Sequence, residues 1–248
     1  MTEKLTVRSA HPVSDTMRAT VLETLADLER RYDVTVLFAC ESGSRGWGFA
    51  SPDSDYDVRF VYVHRLPWYL AVEPGRDVIE QPISGELDVG GWDLRKALQL
   101  LRDSNPTLLE WLRSPIVYRQ DAAWTDRFRT LAERGFSQVR GYHHYVSMAR
   151  KNLREHLYAD VVRYKKYLYV LRPLLAARWI RDGHGVPPMR FAELVADSPA
   201  RIFTASSASI SATSTGSSDV AATSCANGIG GTPRPSRIQR AASSGRST

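Results

Sequence analysis

Cysteine is nearly absent: Cys40 and Cys225 are the only two in 248 residues. Two thiols cannot build a disulfide framework or a four-cysteine zinc site. No uninterrupted apolar run reaches the roughly 18 residues that a membrane helix needs. Residues 1–10 carry charges and no apolar stretch, so no secretory leader is expected. Several catalytic strings are also missing. The chain has no G-x-S-x-G, no Gly-Lys-Ser/Thr, no G-x-G-x-x-G and no H-E-x-x-H. That argues against a serine-hydrolase elbow, a Walker P-loop, a dinucleotide fingerprint and a zinc-protease helix. With 43% hydrophobic and 24% charged residues, the remaining expectation is a globular protein of a reducing cytoplasm.

The positive charge is unevenly placed. Residues 198–248 hold five arginines, one aspartate and neither lysine nor glutamate, a local net of +4 out of the total of +6. Residues 1–197 therefore carry only +2, so the high isoelectric point is a weak pointer to nucleic acid there. Of the last 51 residues, 36 are Ser, Thr, Ala, Gly or Pro. Such a stretch buries too little apolar surface to offset its backbone entropy. It is expected to be a disordered tail, or the product of a shifted reading frame.

Before that tail the chain reads as two halves. In residues 1–93, Ser14 or Asp15 is placed to cap a helix through Arg31, with Met17, Val21, Leu22, Leu25 and Leu28 at helical spacing. Val34–Ala39 and Tyr56–Val63 read as strands, Gly43–Ser54 as a loop, and Val78–Ile83 and Glu86–Val89 as short strands. Residues 94–197 read as almost entirely helical: 94–101, 106–113, 122–133, 137–157 and 160–181. Pro173 is expected to kink the last of these, and Gly183 to end it. The expected fold is α+β: a small mixed sheet with flanking helices over 1–93, an all-helical domain over 94–197, and the tail over 198–248.

The segment from Gly43 to Asp57 carries the most chemistry. Asp55 and Asp57 are two apart at a strand start, so their carboxylates share one face. Two like charges held together call for a cation, and an oxygen-only pair suits Mg²⁺ or Mn²⁺. Asp53, Asp55 and Asp57 also fit the first positions of an EF-hand loop. That loop requires Gly and Glu where Val58 and His64 stand, so the reading fails. Gly43 and Ser44 follow a buried strand, where a turn lets backbone N–H groups approach an anion. A phosphate cradle beside a divalent-metal pair is the equipment of phosphoryl or nucleotidyl transfer.

Gly43-Ser44 followed by Asp55-x-Asp57 resembles the signature of the DNA polymerase β-like nucleotidyltransferase superfamily. Gly-Ser-Arg-Gly-Trp-Gly (43–48), Ser-Asp-Tyr-Asp-Val-Arg-Phe-Val-Tyr (54–62), and the strings at 87–98, 104–112 and 165–176 are similar to its RNA-ligase-associated, RNA-repair branch. The resemblance spans about residues 10–197. It implies that Asp55 and Asp57 bind Mg²⁺ or Mn²⁺ and that Asp88, or failing it Asp93, is the third carboxylate. It also implies that Gly43 and Ser44 hold the phosphates of an NTP, ATP first. Arg45 reads equally as a phosphate contact or as the partner of an acid, and Lys165, Lys166, Tyr167 and Arg172 are candidates to reach the nucleotide from the helical half. The implied reaction moves a nucleoside monophosphate to a hydroxyl of RNA, protein or a small molecule. A catalytically inactive nucleotide- or RNA-binding module is the alternative. Arg150 and His156, six apart, loosely resemble a HEPN ribonuclease motif. Cys40 reads as a core thiol.

Overall fold

A computed structural model of the chain describes residues 11–73, 75–83, 85–158 and 163–197. The tail and the residues before His11 lie outside them. Ser14 caps α1 (Asp15–Tyr32): its Oγ accepts from the Met17 N–H, and Asp33, in the left-handed region at φ 50°, closes the other end. Val21, Leu25 and Leu28 form the buried stripe of α1, whereas Leu22 stays on its exposed side. Each fully buried aliphatic side chain contributes about 1.5–3 kcal/mol.

The next elements are β1 (Val34–Glu41), α2 (Gly43–Trp47), β2 (Tyr56–His64), α3 (Leu66–Tyr69), β3 (Val78–Glu80) and β4 (Leu87–Asp93). They lead into α4 (Leu94–Arg102), α5 (Pro106–Leu112), β5 (Val117–Gln120), α6 (Ala122–Gly135), α7 (Gln138–His156), α8 (Tyr164–Arg181) and α9 (Phe191–Ala196). The strands form one mixed sheet in the order β3-β4-β2-β1-β5. β2 and β4 are parallel, with Asp57 opposite Asp88 and Tyr62 opposite Asp93. The other pairings are antiparallel.

Both faces of the sheet are covered. On one, Val58, Phe60, Tyr62 and Val89 pack with α1. On the other, Phe38, Cys40 and Val61 pack with Ala97, Leu108, Trp111 and Phe128 of α4, α5 and α6. A bulge between Val36 and Phe38 changes the phase of β1, so Val34 and Val36 point to the α1 side while Phe38 and Cys40 point away from it. A third cluster joins α7, α8 and α9 through Tyr145, Ala176, Ile180 and Leu194. Among the described residues no helix is long and apolar enough to cross a membrane.

The α+β expectation holds, with local differences. Gly43–Ser54 is not all loop, because its first five residues close the helical turn of α2. Residues 94–197 are not all helix, because β5 returns to the sheet edge beside β1. The division at residue 93 is thereby crossed by the sheet itself. β4 runs on through Gly90-Gly91 because a Cβ on Gly91 would sit 2.4 Å from the Phe60 ring; the glycine makes room for an aromatic of the neighbouring strand. α8 contains Pro173, as expected. Proline supplies no N–H to the carbonyl four residues back, and Asn152 of α7 fills that role by donating to the Tyr169 carbonyl at 2.8 Å.

Candidate active site

The site is built where β1 hands the chain to β2. The Ser42 N–H donates to the Asp57 carbonyl at 2.8 Å, extending the β1–β2 pairing by one rung. Gly43 then turns at φ 54°. A Cβ on Gly43 would stand 1.9 Å from Asp57 Oδ2, so this glycine is what lets the carboxylate lie against the turn. Ser44 is buried at the start of α2, and its carbonyl accepts from the N–H groups of Gly48 and Phe49. Arg45 is buried too. Its Nη1 donates to the His11 carbonyl at 3.1 Å and Nη2 to the Ser54 carbonyl at 2.8 Å, and its guanidinium lies 3.8 Å from the centre of the Tyr56 ring. Arg45 thus ties α2 to the loop that returns to β2, rather than pairing with an acid.

Asp57, Arg59 and Asp88 lie on the sheet face opposite α1, because Val58, Phe60 and Val89 occupy the other. Asp57 and Asp88 are side by side on parallel strands and share one cation. Arg59 Nη2 is 3.2 Å from Asp57 Oδ1 and 2.6 Å from Asp88 Oδ2. Arg59 Nη1 donates to the carbonyls of Val58 and Asp88. Burial pushes the Asp57 carboxyl above its ordinary pKa. Arg59 opposes that shift, while the charges of Asp88 and Asp55 add to it.

Asp55 is exposed just before β2. Lys165 arrives from α8, its Nζ donating to Ser54 Oγ at 2.7 Å and to Ser51 Oγ at 3.3 Å. Partial burial lowers the Lys165 pKa, and the charges of Asp55 and Asp57 oppose the shift. Burial raises the Tyr169 pKa, as do the charges of Asp57 and then Asp55. The structure therefore gathers Gly43, Ser44, Asp55, Asp57, Asp88 and Lys165 at one end of the sheet.

Asp93 belongs elsewhere. Five residues from Asp88 along β4, it is about 16 Å away at strand rise. It is fully buried and caps α4: Oδ1 accepts from the Arg95 N–H at 2.8 Å, and Oδ2 from the Tyr69 hydroxyl at 2.6 Å. Arg172 does not reach the site either. It is buried in an ion pair with Glu110 at 2.7 Å, and its Nε and Nη2 donate to the Met189 carbonyl. Lys166 sits over the Tyr169 ring, and Tyr167 is exposed. His156 packs edge-on against Tyr169. Cys40 is a buried free thiol whose pKa burial raises.

Two further carboxylates support the site. Glu41, fully buried, accepts from the Asp57 N–H at 3.0 Å and from the Tyr118 hydroxyl at 2.5 Å. Burial pushes its pKa up to about 7 in spite of those two bonds. An acid ending an otherwise apolar strand was a readable anomaly; its partner Tyr118 was hidden because β5 was not expected. Glu110 accepts from Arg172, from the Tyr145 hydroxyl and, through Oε2, from Trp47 Nε1 at 3.1 Å. That network fastens α2 to α5, α7 and α8.

Among the described residues no three His, Cys, Asp or Glu side chains are assembled as a metal cluster. The donor chemistry nonetheless fits a hard divalent ion. The oxygen donors there, Asp55, Asp57 and Asp88, are all carboxylates, and burial and then the charges of Asp88 and Asp55 oppose the ionisation of Asp57.

The sequence model of the RNA repair pathway DNA polymerase beta family (RlaP) matches residues 17–205. An uncharacterized protein of Bacillus subtilis (strain 168), YcgL, is 47% identical over 179 residues, which are 72% of this chain and 69% of that protein. A nucleotidyltransferase-like protein from Exiguobacterium sibiricum 255-15, known from a crystal structure, superposes with a TM-score of 0.34 at 13% identity. That match covers 69% of this chain and 59% of the other, so the chain spans less than two thirds of that protein, and the fit is too loose to transfer anything from it.

Proposed function

The chain belongs to the RNA repair pathway DNA polymerase beta family, and from that premise we propose that it transfers a nucleoside monophosphate from an NTP to a hydroxyl acceptor. The observation that carries this reading is the placement of Asp57: its Oδ2 lies over Gly43 at the turn into α2, within electrostatic reach of Asp55 and Lys165. In the reaction the acceptor oxygen forms a bond to the α-phosphorus, the α–β bridging P–O bond breaks, and pyrophosphate leaves with that electron pair. The acceptor proton passes to a base or to water. Asp55 and Asp57 are the residues to hold Mg²⁺ or Mn²⁺. Such an ion supplies charge neutralisation on the triphosphate and the leaving group.

The chain's own residues supply the rest. The backbone at Gly43 and Ser44 faces the phosphates. Lys165 brings a cation held in place by Ser51 and Ser54. Arg45 and the Glu110–Arg172 pair hold the turn in place, which favours preorganisation of this arrangement. The family description makes an RNA end the first acceptor to try, with protein and small molecules after it, and ATP the first nucleotide. A reducing cytoplasm suits the free thiol of Cys40.

The test incubates the purified protein with Mg²⁺, α-labelled NTPs, cellular RNA and a protein extract, beside an Asp55→Asn, Asp57→Asn double variant. Label in the RNA fraction that the double variant fails to produce is the expected result. Absence of label, together with retained metal-dependent NTP binding, would replace the transferase with a nucleotide-binding module. The clasp of Arg59 on Asp57 and Asp88 is the observation that favours this second reading.

A further inference from the structure

We propose that Arg59 is a resident counter-cation standing where a second divalent ion would bridge Asp57 and Asp88, so that the site takes a single divalent ion, between Asp55 and the other oxygen of Asp57. The inference rests on the transferase reading and deepens it. Its geometric basis is the division of the Asp57 carboxylate. Oδ1 faces Arg59 Nη2, and Oδ2 lies over Gly43, where no donor among the described residues reaches it. An ion bridging Asp57 Oδ1 and Asp88 Oδ2 would lie close to Nη2, which stands 3.2 and 2.6 Å from those same two oxygens. Two cations that close repel, and the guanidinium is the one already held there.

The guanidinium is not a loose surface arm. Nη1 is fastened to the carbonyls of Val58 and Asp88, on two adjacent strands, and the side chain is 21% exposed. Arginine keeps its charge at any working pH, and its planar fork suits two carboxylates at once. Leaving this position would break four hydrogen bonds. Asp88 is therefore a positioning residue: it holds Arg59 against Asp57 and is not itself an ion ligand. The acceptor hydroxyl then meets a fixed organic cation on the Asp88 side of the site.

Equilibrium dialysis of the full chain with Mn²⁺ and the α,β-methylene analogue of ATP tests this by counting Mn²⁺ and analogue retained per chain. The wild type is expected to hold one Mn²⁺ per retained analogue. Arg59→Gln opens the Asp57–Asp88 side and is expected to hold two, and adding Asp88→Asn to it returns the count to one. Arg59→Lys keeps a charge at this position and is expected to stay at one. Two Mn²⁺ in the wild type would overturn the inference while leaving the transferase reading intact, as would a count of one in a folded Arg59→Gln. If Arg59→Gln does not fold, the wild-type count still decides. A wild type that retains the analogue only independently of Mn²⁺ and Asp57 would instead remove the metal-dependent reading, and this inference with it.

Discussion

The parallel pair β2–β4 carries an aspartate of β4 at each end, and the two are treated in opposite ways. At one end Asp88 lies beside Asp57, both about one-third exposed and both answered by a single guanidinium. At the other, Asp93 lies beside Tyr62, fully buried, with each oxygen given its own hydrogen-bond donor. A carboxylate whose lone pairs are met by a backbone N–H and a neutral hydroxyl has a finished structural job. One that shares a cation with a like-charged neighbour, near solvent, holds charge ready for something else. The difference lies in satisfaction rather than residue type, and a sequence shows only the type.

The sharpest way to break this comparison is Asp57→Asn. Transfer should fall on the order of 10³-fold, the upper range for loss of one preorganised electrostatic group. Stability should hold or rise, with a melting shift under about 2 °C. The reason is that burial and the charges of Asp88 and Asp55 already oppose ionisation of Asp57, so its charge costs the fold. Labelled transfer and a thermal melt on the same sample check both halves. A variant that melts early and keeps its activity would reverse the assignment.

Arg172→Met should act the other way round. It strands the buried carboxylate of Glu110 and two hydrogen bonds to the Met189 carbonyl, at a cost of about 3–5 kcal/mol. Urea unfolding measures it. Adding Glu110→Leu should recover only part of the loss: no unpaired buried charge remains, but Tyr145 and Trp47 lose their acceptor. A double variant no better than the single would mean that Tyr145 and Trp47, not the ion pair, hold the network.

These expectations also mark what could be read in the sequence. Asp55, Asp57 and the Gly43-Ser44 turn were legible because i,i+2 spacing and glycine chemistry are local. α1 was legible for the same reason, through Ser14 and its apolar stripe. The sequence ranks Asp88 above Asp93 without fixing where β4 ends, and the parallel register places Asp88 beside Asp57. Glu41's partner Tyr118, Asn152's service to the carbonyl freed by Pro173, and the burial of Arg172 all depend on long-range pairings. No window of the sequence contains them. β5 was missed likewise: four residues between helices become a strand only because the edge of β1 is there to receive them.

Glu41 gives a smaller effect with a definite sign. Its folded pKa, about 7, lies above the ordinary 4.5. Between those values the folded state holds a proton that the unfolded chain releases. This contribution to stability is therefore complete below pH 4.5, is lost as pH rises toward 7, and stays level above it, with a slope of at most about 1.4 kcal/mol per pH unit. Glu41→Gln removes the titration. Urea unfolding at pH 5, 6, 7 and 8 should show wild type losing ground to Glu41→Gln up to pH 7, and parallel profiles would count against a neutral buried Glu41.

The least disruptive change probes the quiet end of the strand pair. Asp93→Ala removes the cap of α4 and the acceptor of the Tyr69 hydroxyl. Loss of a helix cap costs about 0.5–2 kcal/mol. The total should stay near the upper end of that range, because Tyr69 is only part-buried and water can replace its acceptor. The Tyr69 pKa, raised to about 12 by partial burial and by Asp93, should move back toward 10. Ultraviolet titration of the tyrosines, set beside that of Tyr69→Phe, reads that movement. Transfer measured well below the melting temperature should remain within about threefold of wild type, since a site some 16 Å away along β4 depends on Asp93 only through the integrity of α4. A loss as deep as that of Asp57→Asn, in a protein that still melts cooperatively, would mean that the two ends of β4 are one functional unit and that satisfaction of a carboxylate does not separate structure from chemistry here.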